Sequence, residues 1–129
     1  MIKGERHDIP LEHIIEVYSD LLDDIWRRVA YFIGGITLQV LMRSAIRSTA
    51  VVYPFIANVT VTVDGVSLHC LKDICRDIPK QEPTKALQNL VTELFGLLAS
   101  MSGDVIIREL TPMVKGAEEK LKYPGKEGE

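Results

Sequence analysis

His69, Cys70 and Cys75 are the residues of this 129-residue chain whose types come nearest to chemistry. Two thiolates and an imidazole are zinc ligands by type. A cysteine beside a histidine is also the minimum of a nucleophilic pair. Their spacing argues against both uses. It is not that of a finger or a ribbon, and no fourth ligand stands nearby. Adjacent residues of a strand point to opposite faces, so Cys70 and His69 cannot readily ligate one metal ion. The expectation is therefore two free, structurally buried thiols, no catalytic residue, no metal and no cofactor.

Other clusters read more simply. Glu12-His13 and Glu16, with His7 nearby, lack the HExxH pattern and suit a solvated helix face. Asp20, Asp23 and Asp24 form an acidic turn, also on the solvated side. Arg43 and Arg47 lie four apart on one helical face with no acid close in sequence. They suit an anion or an acidic partner surface. Gly34-Gly35 follows no strand and has no phosphate-loop lysine, so it reads as a kink or a close crossing that needs room.

The element that must position these residues is the stretch Leu21 to Val52. Its apolar residues recur at three- and four-residue steps: Leu21, Leu22, Ile25, Trp26, Val29, Phe32, Ile33, Ile36, Val40, Leu41, Ala45 and Ile46. That is the period of an amphipathic helix whose stripe widens near its middle. A helix start is expected at Asp8-Ile9-Pro10, with a first helix to about Phe32 and a second from about Ile36. Ser19-Asp20 could mark an additional cap.

Beyond Pro54 the period becomes two. Asn58 to Cys70 alternates strictly around Asp64-Gly65, which predicts a β-hairpin turning on those two residues. That register pairs Val63 with Val66, Val61 with Leu68 and Val59 with Cys70 on one face. Thr60, Thr62, Ser67 and His69 share the other. Leu71 to Ile78 suits a short helix or turn with Leu71, Ile74, Cys75 and Ile78 inward. Pro79 to Pro83 reads as a polar linker. Thr84 would cap a helix over about 85–100, and Met101 to Asp104 would interrupt it before a last helix over 105–121. Pro112 must lie in that helix's first turns or kink it. Residues 1–8 and 122–129 read as flexible ends around a single domain over 9–121.

A constant offset of 69 residues places Leu90 under Leu21, Leu94 under Ile25, Phe95 under Trp26, Leu98 under Val29 and Gly103 under Gly34. The fold class expected is therefore α+β and predominantly helical. Two crossing helix–glycine–helix units pack with one hairpin and are completed by dimerisation.

Composition narrows the function classes. Apolar residues make up 47%, charged residues 26%, and the net charge is −3. No global field argues for nucleic acid. The distribution is uneven: seven acids fall in residues 1–24, whereas residues 25–63 contain four arginines and no acid. The uncharged run Val29 to Met42 is too short to span a bilayer, and no secretory pattern is seen, so a cytoplasmic location is expected. A lone hairpin and excess apolar surface point to a non-enzymatic interaction or regulatory module acting as a homodimer. Its expected interface is Phe32, Ile33, Ile36, Val40, Arg43 and Arg47, with the acidic Glu12–Asp24 segment of one copy able to meet Arg43 and Arg47 of the other. The partner is a second copy or another protein, not nucleic acid or a membrane. Two alternatives remain open. One is a sensor-type domain holding a hydrophobic ligand or tetrapyrrole between helices. The other is a thiol- or metal-dependent enzyme using Cys70, Cys75 and His69.

Overall fold

The computed structural model describes residues 10–102 and 104–122, and the expectations for residues 1–9, Gly103 and 123–129 lie outside them. The chain is mostly helical, with one small antiparallel sheet of two strands. Helix α1 spans Leu11–Ile33 and α2 spans Gly35–Val52. A 3-10 turn over Pro54–Asn58 leads to β1 (Thr60–Thr62) and β2 (Gly65–Ser67). Then come α3 (Leu71–Ile74), α4 (Gln81–Ser102) and α5 (Asp104–Lys122).

The four long helices pack in a closed ring: α1 against α2 and α5, and α4 against the same two. The three- and four-residue apolar steps of each helix point into this ring. Ile25, Leu38, Met42, Leu87, Leu90, Leu94, Leu98 and Leu110 are all buried there. One polar contact lies in the core between α2 and α4, where the buried Thr49 hydroxyl donates to Asn89 Oδ1 at 3.1 Å.

The break falls at Gly34, whose φ of 87° ends α1, and α2 starts on the next residue. Ser19-Asp20 interrupts nothing, since α1 runs straight through it. The room expected at the glycine pair is used, but by the hairpin and not by another helix. A Cβ on Gly35 would stand 2.6 Å from the Val63 carbonyl oxygen. The buried Trp26 donates its indole N–H to that same oxygen at 2.9 Å.

The hairpin forms two residues out of its expected register. Val61 pairs with Val66, Thr60 with Ser67 and Thr62 with Gly65, so the turn residues are Val63 and Asp64. Among the described residues none other than glycine has positive φ, which excludes the mirror-image turn that Asp64-Gly65 would make. The Thr62 hydroxyl instead accepts from the Asp64 N–H at 3.1 Å, and Gly65 (φ 150°) opens β2. A slip of two keeps each side chain that stays in the hairpin on its own face. Val59 and Leu68 are accordingly buried and Val61 and Val66 half-buried, against exposed Thr60, Thr62, Ser67 and His69. Val63 and Cys70 leave the paired face.

Three local readings are corrected. Pro79 to Pro83 is not a linker throughout, because α4 starts at Gln81 and takes in Pro83, which is buried. Thr84 is therefore no cap; its hydroxyl donates back to the Lys80 carbonyl at 2.9 Å. Ile74 is exposed, while Leu71 and Cys75 are buried and Ile78 half-buried. Pro112 sits well inside α5, where it cannot donate to the carbonyl one turn earlier.

The close approach at Gly35 makes a sharp prediction. Gly35→Ala should destabilise the fold by about 1–3 kcal/mol, because the hairpin backbone must retreat from the new methyl group. Gly96→Ala, in an open position of α4, should stabilise it by up to about 1 kcal/mol. Urea midpoints that moved the same way in both variants would contradict this account of the glycine pair.

Candidate functional site

The thiols and the histidine do not assemble into one site. His69 is exposed in the turn after β2, Cys70 is half-buried just before α3, and Cys75 is buried at the end of that helix. Both cysteines are free, and the Cys70 thiol donates to the Asn58 carbonyl at 3.1 Å. Burial pushes both thiols up from their ordinary value, with the Cys70 charge adding to the effect at Cys75. A nucleophilic cysteine needs the opposite shift. Among the described residues no three of His, Cys, Asp and Glu are placed to hold a metal ion. The reading that buried Cys70 is corrected: Cys75 is the enclosed thiol.

The acidic helix face is as expected for Glu12, Glu16, Asp20 and Asp23, which are exposed. His13 departs from it. That ring is half-buried, and its Nε2 is buried with no hydrogen-bond partner among the described residues. Asp24 pairs with Arg27 one turn on, and Arg28 reaches Glu109 of α5 at 3.9 Å. Behind this face, Tyr18 is buried in the ring, and its phenol is pushed up to about 12. Desolvation is the main cause, the Glu118 charge adds to it, and a hydrogen bond with Gln88 works against it.

The outer side of α2 is different in kind. Ile36 is 71% exposed, Val40 60% and Val51 81%, while Phe32 before the break is 67% exposed. Arg43 and Arg47 are exposed too and make no ion pair among the described residues. At 3.6 residues per turn, positions 36, 40, 43, 47 and 51 fall within about 80° of one another. They form one stripe, apolar at both ends and doubly cationic in the middle. Ile33 does not belong to it, since it is half-buried against the core. The sequence reading missed Val51, although its phase matches Val40 and Arg47. It also missed Tyr31, 85% exposed and edge-on to the Phe32 ring at 5.4 Å.

Beside this stripe an open groove of about 470 Å³ runs between α2 and β1. Its lining is Arg43, Ile46, Arg47, Ala50, Ala57, Val59, Thr60 and Val61. Ile46 and Val59 are buried and make its floor. No helix among the described residues is long and apolar enough to cross a membrane. Compared with protein families, curated proteins and solved structures, the chain matches none.

Two measurements check this description. A thiol reagent should label Cys70 slowly in the folded protein and Cys75 only on unfolding; equal rates would place the thiols wrongly. Tyr18 carries a pH signature of known sign. Its folded pKa lies above the unfolded value of about 10, so the stability it contributes is complete below pH 10 and is lost as pH rises towards 12. That loss amounts to about 2–3 kcal/mol. Tyr18→Phe should remove this part of the alkaline decline, read from urea midpoints across pH 9–12.

Proposed function

We propose that this protein is a non-enzymatic protein–protein interaction module that works as a homodimer through the outer side of α2. The observation that carries the reading is the exposed row Ile36, Val40, Arg43, Arg47 and Val51 along α2, with Phe32 exposed at the end of α1. Single exposed apolar residues need no explanation, but a row repeated along one helix face marks an interaction surface. Burying a side chain of this size is worth about 1.5–3 kcal/mol, and a two-fold axis lets each residue count twice. In this reading two crossing helix–glycine–helix units are completed by the second copy. The upward shift of both thiols, and the exposure of His69 where Cys75 is enclosed, favour it over the enzymatic alternative.

Sedimentation equilibrium at micromolar concentration should give twice the 14.5 kDa chain mass. Ile36→Gln combined with Val40→Gln should give the single-chain mass and keep a cooperative melt, because both side chains lie outside the core, with the midpoint lowered only by the stability that association adds. A single-chain mass for the unaltered protein would overturn the proposal.

A further inference from the structure

We infer that the groove between α2 and β1 is a binding site for a single-tailed anionic amphiphile, a free medium-chain carboxylate being the simplest. The inference rests on the groove's charge and lining and does not require the dimer, whose proposed row shares Arg43 and Arg47 with the groove's edge. Arg43 and Arg47 stand one helical turn apart at its edge, and neither has a carboxylate partner among the described residues. Like charges at this spacing repel, and residues 25–63 contain no acid to offset them. A carboxylate bound at the two guanidiniums would relieve that repulsion and accept the paired N–H bonds that arginine offers.

The rest of the lining fits a tail and little else. Ile46, Ala50, Ala57, Val59 and Val61 carry no polar side-chain atom, and Thr60 supplies a single hydroxyl. From Arg43 to Ala50 the groove follows α2 for about 10 Å at 1.5 Å per residue. The volume of about 470 Å³ is within the usual range for small-molecule sites. Cationic groups at one place and apolar wall elsewhere select for a molecule divided in the same way. A short polar anion would leave the apolar floor wet. A neutral amphiphile would leave the arginines without a counter-charge.

Isothermal titration with decanoate below its micellar concentration, beside butyrate and decyl maltoside, tests the inference. Decanoate should bind at one site per chain, at least tenfold tighter than either comparison compound. Arg43→Gln with Arg47→Gln should weaken it at least tenfold while the helical circular dichroism and a cooperative melt without ligand are retained. The Ile36→Gln, Val40→Gln protein should bind decanoate at least as tightly as the unaltered protein, since neither side chain lines the groove and a single chain leaves both arginines open. That arm separates failure of this site from failure of the dimer. Absence of decanoate binding, equal binding of decyl maltoside, indifference to the arginine changes, or loss in the Ile36 and Val40 variant would each overturn it.

Discussion

The Val63 carbonyl oxygen is the point on which the arrangement around α2 depends. It receives the Trp26 indole N–H at 2.9 Å and lies where a side chain on Gly35 would otherwise stand. A hairpin with three residues in each strand is not stable by itself in water. Here its tip is held by α1 through Trp26 and its apolar face is covered by the helices. Gly35, without a Cβ, lets the strand backbone lie directly against the first turn of α2. The carbonyl is part-buried and a hydrogen bond of this kind contributes about 1 kcal/mol, so the indole and the missing methyl act as a pair.

The course of β1 along α2 follows from that anchor. Starting from Val63 at Gly35, the strand meets Gln39, whose amide reaches the Val61 carbonyl at 3.5 Å. Further along, Val59 to Val61 face Arg43, Ile46, Arg47 and Ala50 across the groove. The strand thus covers one flank of α2, and α1 and α4 cover others. Among the described residues no element lies over the side bearing Ile36, Val40, Arg43, Arg47 and Val51. A free apolar row and a cationic groove are two consequences of one docking geometry.

Polar groups inside the ring are few, and each affects its surroundings in a definable way. The Thr49–Asn89 hydrogen bond ties α2 to α4 where both helices are otherwise apolar, and a bond of this kind contributes about 1 kcal/mol. Tyr18 keeps its proton because a buried phenolate beside Glu118 would be desolvated and repelled. The same physics acts on the thiols. Burial favours their neutral forms, so the residues that look most reactive by type are held in unreactive states.

Periodicity in the sequence was enough to define the helices, their inward faces, the break at Gly34 and the two faces of the hairpin. These are local properties, since a period of 3.6 or 2 fixes which side chains point together whatever lies opposite. The hairpin register was not local. A slip of two preserves the alternation, so the pattern was indifferent to it, and the anchoring of the Val63 carbonyl between Trp26 and Gly35 selected one register. The same limit applies to the cysteines, because spacing alone did not reveal that Cys75 and not Cys70 is enclosed. Pro79 to Pro83 looked like a linker by composition, yet packing buried Pro83 inside the first turn of α4. On α2 the sequence showed that Ile36, Val40, Arg43 and Arg47 share a side. Only the packing of α1, α4 and β1 determined that this side stays open, because exposure depends on what else reaches a face and not on the face itself.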